Sequence, residues 1–165
     1  MRAKAVIAAL IPALIAAAPA RAVVVDFVRP VVGPVARHFE PPPTPYAAGH
    51  RGIDLEVPAG TTVVAAAAGT VAFAGQVGGT YAVSIDHADG LRTTYSYLSA
   101  VLVRAGDPVA QGAPVAVSGV GHGGEAPPVL HFGLRRGSEY LDPEPILVES
   151  MRRNRWRVIR LAPPA

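Results

Sequence analysis

The chain has 165 residues and no cysteine, and half of it is hydrophobic. That length is expected to form one domain with a substantial core, and the absence of cysteine excludes disulfide bonds and thiolate metal sites. Glycine and proline reach 17 residues each. This composition favours short strands joined by tight turns over long helices.

The first 22 residues are typical of a secretory signal peptide. Arg2 and Lys4 form a basic start, an apolar run of about 14 residues follows, and small residues around Ala22 suit a cleavage site. The run is shorter than the roughly 20 residues that a spanning helix needs. We therefore expect cleavage near Ala22 and a secreted or cell-envelope location, with an uncleaved membrane anchor as the alternative.

Charge is balanced after that cleavage but unevenly placed. Residues 23–150 carry seven arginines and twelve acidic residues, whereas residues 151–165 carry five arginines and no acid. This balance does not favour nucleic acid as a partner. The basic C-terminal tail, residues 149–165, is expected either to touch an anionic polymer or membrane surface or to be a solvated terminus.

Between these ends the pattern predicts one β domain. Residues 23–45 are rich in valine and proline, which predicts an extended arm leading into the domain. Over residues 46–148 short apolar runs alternate with turn residues, and the polar turn at residues 86–90 ends in a hairpin-forming Asp-Gly pair. His87 lies in this turn, so we expect it at the surface or in a local hydrogen bond. The predicted class is all-β and mostly antiparallel.

Two short stretches carry residues suited to metal chemistry. His50 and Asp54 lie four residues apart in the first, and His131 lies in an apolar, strand-like run in the second. Two imidazoles and one carboxylate form a set that zinc accepts, with the fourth position left to water or substrate. Residues four apart in a straight strand are separated by about 13 Å, so the chain must bend, and Gly52 permits the bend.

In combination these stretches resemble the lysostaphin-type (LytM-like) zinc metallopeptidases, which cut peptide cross-links in peptidoglycan. The resemblance covers roughly residues 50–146 and is carried by His50-Arg51-Gly52-Ile53-Asp54, Val57-Pro58-Ala59-Gly60-Thr61 and Leu130-His131-Phe132. It implies a compact β-sandwich or barrel-like core of the duplicated hybrid motif kind. It also implies one zinc ion bound by His50, Asp54 and His131, and peptidoglycan peptides as ligands.

Two positions depart from the family pattern. The family has His-x-His-Phe, but here Val129 precedes His131 by two residues, on the same strand face because strand side chains alternate. The family's Tyr-x-His-Leu has Tyr97 in place of its histidine. Tyrosine is a poor base at neutral pH, although its hydroxyl could donate to an oxyanion. His122 or Glu125, in a glycine-rich loop, could act as a substitute base.

Three functions follow from this pattern. The first is a secreted cell-wall protein that binds peptidoglycan peptides or regulates another cell-wall hydrolase, with hydrolysis impaired or absent. The second is an active zinc endopeptidase that uses Tyr97 and a substitute base, and the third is a metal-free structural envelope domain. The changes at Val129 and Tyr97 favour the first, whereas the intact metal ligands favour the first two over the third. Arg51 and Arg135 are expected near the site, either binding substrate carboxylates or solvated at an edge.

Overall fold

The computed structural model describes residues 25–44, 47–121 and 127–148. The predicted signal peptide, the loop that carries His122 and Glu125, and the basic tail lie outside the described residues, so the expectations about them stay predictions. Within the described residues, no helix has the length and apolar character to cross a membrane.

Ten strands form one antiparallel sheet, which confirms the predicted class. The sheet order is β1-β2-β9-β6-β5-β4-β7, with β10 paired to β9 and β8 paired to both β3 and β6. A helical segment covers residues 144–148. The strands are β1 Val35–Arg37, β2 Ile53–Glu56, β3 Thr62–Val64, β4 Gly69–Val77, β5 Thr80–Asp86, β6 Leu91–Val101, β7 Pro108–Val109, β8 Pro114–Ser118, β9 Val129–Arg136 and β10 Glu139–Leu141.

The core follows from the alternation of side chains along the central strands. On β9, Leu130 and Phe132 are fully buried, and His131 between them is only half-buried on the opposite face. The hairpin turn between β5 and β6 is a short 3-10 turn at Ala88–Gly90, where the Asp-Gly pair predicted one. Asp89 and Gly90 both have positive φ there, a conformation that aspartate tolerates and glycine favours.

The N-terminal segment packs onto this core. Phe27 and Val31 are each 4% exposed and belong to the same hydrophobic cluster as the strands. The backbone amide of Val28 donates a hydrogen bond of 2.7 Å to the carbonyl of Ala66, and β1 pairs with β2. The described part of the predicted arm, residues 25–44, therefore packs on the core through Phe27 and Val31 and joins the sheet through β1.

His87 lies in the interior, at 8% exposure, and not at the surface. Its Nδ1 is 2.9 Å from the carbonyl oxygen of Ala68, and its Nε2 is 2.8 Å from the hydroxyl oxygen of Thr93. That hydroxyl is 3.1 Å from the hydroxyl of Tyr95, which accepts a hydrogen bond from the amide of Ala66. These five residues form the His87 network. The surface alternative was wrong, and the ring is hydrogen-bonded to partners 6 and 19 positions away and not within its own turn.

Candidate metal centre

Strand pairing brings the three predicted ligands together. Asp54 on β2 lies directly opposite His131 on β9, and His50 lies in the segment just before β2, where it forms a bridge with Glu40. Oδ1 of Asp54 is 2.8 Å from Nδ1 of His131 and 3.1 Å from Nε2 of His50, and the two nitrogens are 3.1 Å apart. We call His50, Asp54 and His131 the metal trio.

The metal trio fits zinc in donor type and in size. Zinc bonds of about 2.0–2.1 Å at tetrahedral angles place neighbouring ligand atoms about 3.3 Å apart, so the ligand atoms would move outward by only a few tenths of an ångström. His50 and Asp54 are each 6% exposed. Burial pushes the pKa of Asp54 upward, but hydrogen bonds and charge from His131 and His50 outweigh it and leave the pKa below its usual value. The carboxylate therefore stays charged.

The arm orients one of the ligands. Nδ1 of His50 lies 2.7 Å from the backbone carbonyl oxygen of His38. Because a carbonyl oxygen only accepts, Nδ1 carries a hydrogen, and Nε2 is the ring nitrogen directed at the trio. The side chain of His38 contacts Glu144 instead. No side-chain pattern marks this backbone acceptor, which is why the sequence did not reveal it.

Gly52 is required for space. It is not among the residues with positive φ, so the bend between His50 and Asp54 does not need glycine's left-handed conformation. A Cβ on Gly52 would lie 2.5 Å from the carbonyl oxygen of Phe132 and 2.9 Å from Nε2 of His131. A larger residue at position 52 would overlap both the Phe132 carbonyl and the His131 ring, so at least one of them would have to move.

Tyr97 is aimed at the trio by an irregularity in β6. The strand pairs with β9 up to Ser96 and with β8 from Leu98, and Tyr97 between them has a φ of 63°. This conformation is rare for a bulky residue and often occurs at functional sites. The Tyr97 ring packs edge-on against His131, with centroids 6.1 Å apart. Burial raises the pKa of Tyr97, and the charge of Asp54 raises it further, so the hydroxyl is a donor and not a base.

The remaining predicted residues divide into three groups. Arg51 and Arg135 line one pocket of about 320 Å³ together with His131. Val129 lies on β9 two residues before His131, on the same face, and offers no group that accepts a proton. The proposed substitute bases lie outside the described residues.

Known proteins resemble this chain in sequence and in fold. Peptidase family M23 matches residues 48–143. An uncharacterized protein of Mycobacterium tuberculosis is 39% identical over 66% of this chain and 45% of its own length. The DD-carboxypeptidase/endopeptidase Mpg of Neisseria meningitidis is 38% identical over 57% of this chain and 22% of its own. The chain thus spans less than half of these curated relatives. The catalytic domain of lysostaphin from Staphylococcus simulans superposes with a TM-score of 0.60 at 28% identity, over 70% of this chain and 92% of that one.

Proposed function

Because the chain belongs to Peptidase family M23, we propose that it is a secreted cell-wall protein that holds one zinc ion on the metal trio and binds peptidoglycan peptides, with hydrolysis impaired or absent. The names of its relatives support a peptidoglycan-related peptidase domain: Mpg is called a DD-carboxypeptidase/endopeptidase, and lysostaphin is called an antimicrobial peptidase.

The convergence of three ligand atoms at 2.8–3.1 Å carries the metal part of this proposal. When bound, zinc would supply a Lewis acid that polarises a peptide carbonyl and acidifies water. His50 is pre-oriented for that role by the carbonyl of His38. The charged carboxylate of Asp54 would hold the cation in a largely buried setting.

The groups beside the trio carry the proposal of impaired hydrolysis. A working site needs a group that removes a proton from the attacking water, and this assistance is typically worth about 10²–10⁴-fold in rate. Val129 cannot remove a proton, and the raised pKa of Tyr97 keeps its hydroxyl protonated. Tyr97 would donate a hydrogen bond to the developing oxyanion of a bound peptide, which would support slow turnover at most.

Zinc content tests the proposed metal binding. We expect about one zinc ion per chain after dialysis of the purified mature protein, and loss of the ion in His131→Ala. Thermal unfolding without metal would establish that the variant folds. Absence of zinc from both samples, under conditions where an active relative retains its own, would favour the metal-free structural domain.

Restoring the family's two histidines tests the proposal that hydrolysis is impaired or absent. The double variant Val129→His/Tyr97→His should release peptides from cross-linked peptidoglycan at least about 10²-fold faster than the natural chain. Val129→Ala/Tyr97→Phe is the matched control, because it changes both side chains without adding a base. A natural chain already as fast as the restored variant would instead make it an active endopeptidase.

The proposal also includes export of the protein and an interaction with the cell wall or with another cell-wall hydrolase. We expect N-terminal sequencing of the protein from the cell envelope to begin near residue 23, after removal of the predicted signal peptide. The basic tail, residues 149–165, would hold the domain near anionic wall polymer or membrane. Adding the purified protein to an active cell-wall hydrolase would test regulation, and an unchanged hydrolase rate would count against a regulatory role.

A further inference from the structure

The pocket beside His131 is built from one face of two neighbouring strands. Its floor is formed where Ser96 pairs with His131 and Thr94 pairs with Gly133. Gly133 has no side chain, and a Cβ there would come within 3.2 Å of the carbonyl oxygen of Arg51. The glycine therefore leaves open a depression of about 320 Å³ immediately next to a metal ligand.

This pocket is cationic in a domain that is otherwise acidic. The described residues hold ten aspartates and glutamates against seven arginines, yet two of those arginines line this one pocket. None of the described residues lining it is acidic, and Thr94, Ser96 and Tyr140 add hydroxyl groups. Arginine with nearby hydroxyl donors is the arrangement that recognises a carboxylate.

Both guanidinium groups are held in place. Arg51 donates a hydrogen bond of 3.0 Å to the carbonyl of Ala47, and its guanidinium carbon lies 5.8 Å from the ring centroid of Tyr140. Arg135 donates to the carbonyl of Gly137 at 3.3 Å. These contacts fix the position of both guanidinium groups at the edge of the pocket that they line.

A second depression, of about 340 Å³, is lined in part by Tyr97, and its lining in the described part of the chain carries no ionisable group except Tyr97 and Tyr81. The surface next to Tyr97 therefore lacks the arginines that line the pocket next to His131.

We infer that Arg51 and Arg135 form a subsite for a peptide carboxylate located within two residues of the carbonyl group held at the trio. Gly133 is two residues from His131 on β9, which is about 7 Å along the strand and matches two extended peptide residues. The carboxylate would come from a free C-terminus or from an acidic side chain. This inference rests on the proposed function, since it assumes that a peptide occupies the trio.

Binding of three peptides tests the subsite without requiring turnover. Calorimetry on the zinc-loaded protein would compare a peptidoglycan stem pentapeptide ending in D-alanine as its free acid, the same peptide as its C-terminal amide, and an amide ending in D-glutamate. We expect the free acid to bind about tenfold more tightly than the alanine amide, the effect of one charge-assisted contact. Recovery of the affinity by the glutamate amide would show that a side-chain carboxylate is also accepted.

Two neighbouring arginines provide a matched pair of variants. Arg135→Gln should abolish the preference for the free acid, whereas Arg136→Gln should retain it, because Arg136 is exposed on the other face of β9 and contacts Asp89. Equal binding of acid and amide by the natural chain would overturn the subsite. A preference for the free acid that persists in the double variant Arg51→Gln/Arg135→Gln would also overturn the subsite. Failure to bind any of the three peptides would instead contradict the proposed function itself.

Discussion

The metal trio and the His87 network place histidines in opposite situations. In the network, each ring nitrogen of His87 has its own hydrogen-bond partner, and the chain of bonds ends on backbone groups. In the trio, three atoms able to bind a metal face one another at 2.8–3.1 Å. Both clusters are largely buried, so burial alone does not distinguish a structural histidine from a metal ligand.

The difference lies in what would complete each cluster. In the network, the Ala66 amide and the Thr93 hydroxyl both donate to the hydroxyl oxygen of Tyr95, and each ring nitrogen of His87 has an oxygen partner, at Thr93 and at Ala68. The trio places one carboxylate oxygen and two imidazole nitrogens within mutual reach, which is the donor set that a zinc ion would complete. One cluster is therefore satisfied by its own hydrogen bonds, whereas the other offers ligand atoms for an added ion.

Adding and removing zinc should produce the largest contrast. Zinc at about 100 times its dissociation constant should raise the free energy of unfolding by about 2.7 kcal/mol, and a chelator should reverse the gain. Asp54→Ala should remove the response because it deletes the charged ligand. Thermal unfolding with and without zinc measures this. An equal zinc response in Asp54→Ala would mean that the ion binds elsewhere.

Gly52→Ala should weaken zinc binding by about 10–100-fold, because the new Cβ would overlap the His131 ring and the Phe132 carbonyl. Competition with a zinc-binding dye measures the affinity. Gly75→Ala is the matched control, since its Cβ would meet only the flexible Phe73 side chain on β4. If both variants bind zinc like the natural chain, the close approach at Gly52 does not position His131.

Tyr95→Phe should lower the free energy of unfolding by about 1–3 kcal/mol while leaving zinc affinity unchanged. The variant leaves the buried amide of Ala66 without its acceptor and breaks the bond to Thr93. Urea unfolding in the presence of a chelator measures the loss. Tyr81→Phe, at a half-buried position on β5, is the control and should unfold almost like the natural chain.

The smallest expected effect is a dependence of stability on pH. Burial lowers the pKa of His87, although its bond to Ala68 and the charge of Asp86 oppose the shift. Above the unfolded pKa of about 6.5 both states are neutral at this residue. As the pH falls below that value, the unfolded chain takes up a proton before the folded one, and the free energy of unfolding decreases until the folded pKa is passed.

Unfolding in urea from pH 8 to pH 5, with a chelator present, would measure this slope. His87→Gln should lose the component that comes from imidazole protonation, and its stability should change less over that range. Identical slopes in the two proteins would indicate that other groups dominate the acid response of the fold.

Local sequence patterns predicted much of the fold and of the trio, and long-range pairing supplied the rest. Alternation on β9 identified the buried faces, and short motifs marked His50, Asp54 and His131. The burial of His87 was not predictable, because it depends on Phe27, whose ring centroid lies 5.7 Å away although it is 60 positions earlier in the chain. The positive φ of Tyr97 likewise arises where β6 changes its pairing partner, which no local pattern encodes.

The contact between His38 and His50 bears on how this domain could be transplanted. The match to Peptidase family M23 begins at residue 48, and a fragment cut there would carry every ligand side chain. It would lack the His38 carbonyl that orients His50. It would also lack Phe27 and Val31, an aromatic and an aliphatic side chain that belong to the hydrophobic core. A chimera that is meant to keep the geometry of the metal trio should therefore take the chain from about residue 25 onward.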